Sequence, residues 1–194
     1  MNIEIIFANF LCYENLKLDN KAIADYCLKL SETNPSIQIS NEGGWHSEHL
    51  QLDNLNPVLQ PLFKEIQKCI KQLQIQLGFK ENLDHNVSGA WINVNKHRDF
   101  NRLHKHIGCT FSGIYYVKIP KNSGALEFTT PQLELSHVIK DNTVKDFNFF
   151  NSKSWKVIPE EGKLILWPSW LMHEVKPNLS DDTRISIAFN TIIS

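Results

Sequence analysis

Three histidines in this chain sit where imidazoles can be brought to a point. His104 and His106 are one residue apart in R-L-H-K-H-I, among β-branched and aromatic neighbours that favour strands. If residues 102–107 are extended, alternate side chains leave the backbone on one face, so the two rings point together and Lys105 points away. Two convergent imidazoles begin a site for a divalent transition metal, and a third ligand must come from elsewhere. His173, in the run from Gly162 to Val175, is the candidate. The plain alternative is that all three are solvent-facing strand residues. His97 and Asp99, in H-R-D, form a rival pair with an imidazole and a carboxylate at the same spacing. His46 and His49, spaced H-x-x-H beside a G-G-W turn, read more simply as loop histidines, because a short spacing alone is weak evidence for metal.

The last strand adds a charge. T-R-I-S-I-A-F-N at 183–190 divides into an apolar face of Ile185, Ile187 and Phe189 and a second face of Arg184, Ser186, Ala188 and Asn190. With the apolar face packed on helices or another sheet, Arg184 and Ser186 point into a barrel. An arginine there needs an anion, because an unpaired buried charge costs several kcal/mol. The anion is either a bound carboxylate held by the guanidinium fork, with the Ser186 hydroxyl as a further donor, or a neighbouring Asp or Glu.

The elements that must hold these groups are legible in outline. Residues 3–10 are a short apolar run that reads as a first strand. Asp19 is a helix N-cap before Ile23, Tyr26, Cys27 and Leu30, which recur at helical spacing. Residues 36–40 suit another strand, and N-E-G-G-W-H at 41–46 a turn. From Pro57 to Phe79, Leu59, Phe63, Ile66, Ile70, Leu73 and Leu77 step by three and four, which predicts an amphipathic helix. After Gly78 the period changes to two, with strands near 87–94, 102–107, 109–118, 124–128, 155–158, 163–167, 171–175 and 183–193. The expected fold is mostly β with N-terminal helices: an antiparallel double-stranded β-helix, or cupin-like jelly roll, buttressed on one sheet by the helices. We expect a single domain over 1–194, with a helical portion at 1–86 and the jelly-roll core at 87–194. Residues 129–154 interrupt the sheet as a lid, a binding surface or a disordered loop, and Phe147, Phe149 and Phe150 argue against plain disorder.

Composition excludes several classes. A chain of 194 residues with 42% hydrophobic and 21% charged residues suits one soluble domain. A net charge of -1, with scattered lysines, provides no field for nucleic acid. No apolar run is long enough to span a bilayer and M-N-I-E-I-I-F lacks a basic leader, so we expect no membrane association and a cytoplasmic address. The four cysteines are widely separated, without C-x-x-C, and read as reduced thiols.

Taken together, Gly43-Gly44-Trp45, Trp91-Ile92-Asn93, Asn101 to His106, Ser112 to Tyr116, Pro168 to His173 and Arg184 to Asn190 resemble a little-characterised group of iron(II) and 2-oxoglutarate-dependent oxygenases of bacteria and phages. The likeness covers roughly residues 40–190. It implies Fe(II) and 2-oxoglutarate as cofactors, with His104, His106 and His173 as metal ligands and Arg184 with Ser186 on the far carboxylate of 2-oxoglutarate. A further similarity to prolyl hydroxylases, around I-Y-Y and W-x-x-x-x-x-H-E-V-x-P, implies Tyr116 as a hydroxyl contact to 2-oxoglutarate. Where the wider superfamily has H-x-D, this chain has His104-Lys105-His106, which leaves the metal one negative charge short. His97 and Asp99 do read H-x-D, but their flanks do not match the segment before S-G-x-Y-Y. Asn93, Trp91 and Asn190 are candidate contacts to substrate or to the ligands' surroundings, with ordinary barrel lining as the plain reading. The resemblance implies hydroxylation of a C–H bond coupled to decarboxylation of 2-oxoglutarate to succinate, on a small-molecule or peptidyl substrate. The alternatives are a three-His cupin-type dioxygenase that does not use 2-oxoglutarate, and a non-catalytic jelly-roll ligand-binding protein. Oligomeric state stays open, a homodimer included.

Overall fold

The computed structural model describes residues 1–132 and 134–193. In chain order it runs β1 (Cys12–Asn15), α1 (Asn20–Thr33), β2 (Asn41–Glu42), β3 (Trp45–His46), α2 (Gln60–Gln76), β4 (His85–Asn95), β5 (Phe100–His104), β6 (Phe111–Lys118), β7 (Leu126–Thr129), α3 (Leu135–Val138), β8 (Ser154–Val157), β9 (Lys163–Pro168), β10 (His173–Val175) and β11 (Arg184–Ile193). The strands form two antiparallel sheets, one in the order β1-β9-β6-β11-β4-β3 and the other β2-β5-β10-β7-β8. This is the expected jelly roll, left open at its edge strands rather than closed by hydrogen bonds.

Alternation along the long strands divides the core. Ala90, Ile92 and Val94 of β4, and Ile185, Ile187 and Phe189 of β11, pack outward against Ile23 and Cys27 of α1 and the stripe Leu62, Ile66, Ile70 and Leu73 of α2. The opposite faces of β6 and β9 send Ile114, Tyr116, Ile165 and Trp167 between the sheets, where they meet Leu126, Phe128 and Leu171. The helices start where the sequence indicates: Asp19 accepts from the Ala22 amide at 3.0 Å, and Pro61 lies in the first turn of α2, where its missing N–H is harmless. Gly113 is required by packing, because a Cβ there would lie 2.2 Å from Cζ of Phe189.

Three local expectations need correction. Residues 3–10 are not a strand: Ile3, Ile5, Ile6 and Phe7 are exposed, and the outer edge of β9 is paired instead by Cys12 to Asn15. Residues 36–40 form no strand, although the Ile37 amide donates to the His46 carbonyl and the Arg102 amide to that of Ser40. The strand expected over 102–107 ends at His104, and the chain turns at Ile107 and Gly108, the latter at φ +82°. The other expected strands and both long helices form close to their predicted bounds. Gly43 and Gly44, at φ +64° and +65°, make the anticipated turn. Within 129–154 the chain forms α3 and a 3-10 turn at Asp141–Thr143, with Phe147, Phe149 and Phe150 exposed. All four cysteines are free thiols. No described helix is long and apolar enough to cross a membrane.

Candidate metal centre and adjoining cavity

His173 opens β10 and lies directly opposite His104 of β5 on one side and Phe128 of β7 on the other. Directly opposed residues in an antiparallel pair hold their Cβ atoms about 5 Å apart. The His104 and His173 rings are therefore neighbours by register, with centroids 4.3 Å apart. His106 arrives differently. It lies beyond the strand, its amide donates to the Ser169 carbonyl at 3.1 Å, and its ring comes within 5.0 Å of that of His104 and 5.3 Å of that of His173. One ring nitrogen from each lies within 4.8 Å of the others. A metal–imidazole bond is about 2.1 Å, so small side-chain rotations bring three such nitrogens onto one ion.

The ring orientations suit that use. Nδ1 of His104 is 2.6 Å from the Arg102 carbonyl, and Nδ1 of His173 is 2.9 Å from that of Leu171. A carbonyl accepts only from a protonated Nδ1, which leaves Nε2 with its lone pair free to bind metal. Nδ1 of His106 lies 3.3 Å from the Asn190 amide nitrogen, and the Asn190 amide oxygen accepts from the Ser112 hydroxyl at 2.8 Å. Turning the Asn190 amide over exchanges these roles on the same atoms and frees Nε2 of His106 in the same way. Burial, reinforced by charge on His104, pushes His173 down to about 3 and His106 down to about 4. Burial also lowers His104. All three are therefore neutral at pH 7, the form that ligates.

The far wall of the same cavity, about 40 Å³, belongs to the other sheet. Asn93, Ser186 and Tyr116 stand side by side on β4, β11 and β6, with Arg184 next along β11. Arg184 is 1% exposed. Its Nη1 donates to the carbonyls of Ser123 and Lys176, while Nη2 is buried with no partner. Among the described residues no carboxylate forms a salt bridge with it, and the charge of Asp99 reaches it only through space. Burial lowers the guanidinium to about 10, which leaves it charged at neutral pH. Burial also raises the Tyr116 phenol, so it remains an O–H donor. The Tyr116 hydroxyl, Asn93 Oδ1 and Trp167 Nε1 are likewise buried and unpartnered. The unpartnered Tyr116 hydroxyl, Trp167 Nε1 and Arg184 Nη2 are donors facing three neutral imidazoles and would fit an oxygen-rich anion, whereas Asn93 Oδ1 can only accept.

The remaining candidates divide cleanly. His97 and Asp99 lie outside the cavity: His97 is exposed, with Nδ1 3.2 Å from the Ser180 carbonyl, and Asp99 accepts from the Lys96 amide and packs against the Gly43-Gly44 turn. Trp91 does line the cavity, with its ring 5.6 Å from that of His106. His46 and His49 lie nearly parallel to it at 5.7 and 5.8 Å, outside the three-nitrogen cluster. Trp167, whose ring is 5.0 Å from that of His173, was not singled out from the sequence. Its alternation with Ile165 in L-I-L-W-P was the available signal.

Residues 89–190 match a family model described as "Putative 2OG-Fe(II) oxygenase". No curated protein matches the sequence. Among solved structures, a prolyl-4-hydroxylase of Pseudomonas putida is 16% identical, with a TM-score of 0.63 over 93% of this chain and 91% of its own. The 2-oxoglutarate-dependent epimerase SnoN of nogalamycin biosynthesis is 14% identical, with a TM-score of 0.66 over 95% and 78%. A prolyl hydroxylase of Trichoplax adhaerens, solved with a peptide fragment, is 15% identical, with a TM-score of 0.63 over 94% and 83%. At these identities the structural likeness carries the jelly-roll fold, while the sequence match covers more than half of the chain, and on that match the protein belongs to the 2OG-Fe(II) oxygenase family, a family of oxidoreductases.

Proposed function

We propose that the chain is a single-domain hydroxylase in which His104, His106 and His173 hold iron(II) and Arg184 holds the far carboxylate of 2-oxoglutarate. The observation that carries the reading is the unpartnered Nη2 of Arg184 in the cavity that the three imidazoles close. When bound, the iron and 2-oxoglutarate supply oxidation of a substrate C–H bond coupled to release of succinate and carbon dioxide. The chain's own residues do the rest. Backbone carbonyls at Arg102 and Leu171 hold two imidazoles in the ligating tautomer, and Asn190 with Ser112 holds the third. Arg184 binds and orients the cofactor's remote end, with the Tyr116 and Ser186 hydroxyls beside it, and Phe128, Leu126 and Trp167 keep water from its flank. Asn93 offers a further polar contact on the same wall. Free thiols are consistent with a reducing, cytoplasmic setting.

The test is oxygen consumption by iron-loaded protein with and without 2-oxoglutarate, with succinate measured in parallel. The reading expects succinate only when both are supplied. Oxygen uptake indifferent to 2-oxoglutarate would instead mark a cupin-type dioxygenase, and absence of metal uptake a binding protein.

A further inference from the structure

Outside the cavity lies an open groove of about 460 Å³. Ser40, Trp91, His104 and His106 line both spaces, so the groove leads directly to the imidazoles. One wall is the irregular segment with Ile37 and Ile39, and the other is the end of β5 and its turn, with Arg102, Leu103 and Lys105. Trp91 is the floor, held by its parallel stacking with His46 and His49.

The charge of this groove is one-sided. Among its described lining residues there is no Asp or Glu. Arg102 is paired with Glu42 at 3.1 Å and donates to the Ile39 carbonyl. Lys105 is exposed and makes no ion pair among the described residues. A cationic ligand would therefore find no unpaired carboxylate among the lining residues, and a carboxylate would meet an unspent ammonium. Shape narrows the choice further. Ile39 and Leu103 stand 63% and 46% exposed along the two rims. The described residues of the long 129–154 segment border a different groove, beside the N-terminal residues, and do not cover this one. An uncovered trough with aliphatic edges suits a chain that continues past both ends.

We propose that this groove binds the substrate and that the substrate is a polypeptide segment carrying an acidic side chain, with Trp91 under its backbone and Lys105 on its carboxylate. The proposal rests on the iron and 2-oxoglutarate reading above for the meaning of the adjoining cavity. Its test is read separately. Protein is loaded anaerobically with iron(II) and saturating 2-oxoglutarate, and metal content is measured first, so failure of the iron reading shows there. Tryptophan emission is then titrated, and Trp91→Phe isolates the signal of Trp91 by difference. The probes are a neutral peptide with one central glutamate, the same peptide with lysine in its place, and free glutarate. The expected result is a saturable Trp91 signal with the glutamyl peptide and none with the lysyl peptide. Lys105→Glu should weaken glutamyl binding about tenfold while leaving iron content unchanged. Equal binding of the lysyl peptide, glutarate binding as tightly as the peptide, or silence with all three probes would each overturn the assignment.

Discussion

The six-stranded sheet carries Arg184, Ser186, Asn93 and Tyr116 on long strands, 11 residues in β4 and 10 in β11, whose outer faces are buried under α1 and α2. The five-stranded sheet carries His104 and His173 on strands of 5 and 3 residues, and His106 on none. Both walls face one cavity, yet they are positioned by different forces. The anion wall is held by the hydrophobic core behind it, at about 25 cal/mol per Å² of buried apolar surface. The imidazole wall is held by cross-strand register and by short hydrogen bonds to backbone carbonyls and one amide, each with a net worth of about 1 kcal/mol. The difference teaches that the arginine wall should resist local change and fail globally, while the imidazole wall should fail locally and leave the fold standing.

Substitutions separate the two behaviours, and the largest effect belongs to the imidazoles. His173→Ala should lower iron(II) affinity by more than about 100-fold, since ligands matter more than the groups that orient them, while the denaturation midpoint of metal-free protein stays near wild type. Titration with iron under anaerobic conditions checks the first, and chemical denaturation the second. A large loss of stability would erase the contrast. Ile187→Ala, behind the anion wall, should destabilise the metal-free protein by about 3 kcal/mol, read from urea unfolding. Arg184→Met should abolish the stabilisation that 2-oxoglutarate gives the iron-loaded protein, about 2.7 kcal/mol at 100-fold excess over its dissociation constant, and leave iron uptake intact. If 2-oxoglutarate stabilises this variant as it does wild type, Arg184 does not hold the cofactor. Asn190→Ala should reduce iron affinity about tenfold, the smallest change of the series.

The imidazoles also set a pH dependence. Their ordinary value is 6.5, and the folded chain holds His173 at about 3 and His106 at about 4. Below 6.5 the unfolded chain takes up protons that the folded chain refuses. Metal-free stability should therefore fall as pH drops from 6.5 toward about 3, where His173 too is protonated in the folded chain, and be insensitive to these groups above that window. Unfolding midpoints across the range measure it, and a flat profile would mean the rings are better solvated than their burial indicates.

The anion wall was readable from the sequence because its signal is periodic. The alternation of Ile185, Ile187 and Phe189 against Arg184, Ser186 and Asn190 is what a strand with one face under helices must show. His104 and His173 were readable as a pair of residues but not as a cross-strand pair, since register between β5 and β10 depends on two segments far apart in the chain. His106 lies beside His104, but not through the strand alternation that predicts it: the chain leaves the strand at residue 104, and the ring is brought back by a turn and by pairing with Ser169. Residues 3–10 failed because apolar character alone does not make a strand, and β9 already had a partner in Cys12 to Asn15. The parallel packing of His46 and His49 on Trp91 was invisible for the same reason as the register, being a contact between a loop and a strand that no local pattern encodes.

A nitrogen-only trio with no carboxylate has little means of preferring iron. By the Irving–Williams order, copper(II), nickel(II) and zinc(II) bind such donors more tightly than iron(II) does. Protein recovered over a nickel resin should therefore emerge carrying that metal and inert toward oxygen, and the ion that such a trio would hold in a cell would be set by supply rather than by choice of the fold.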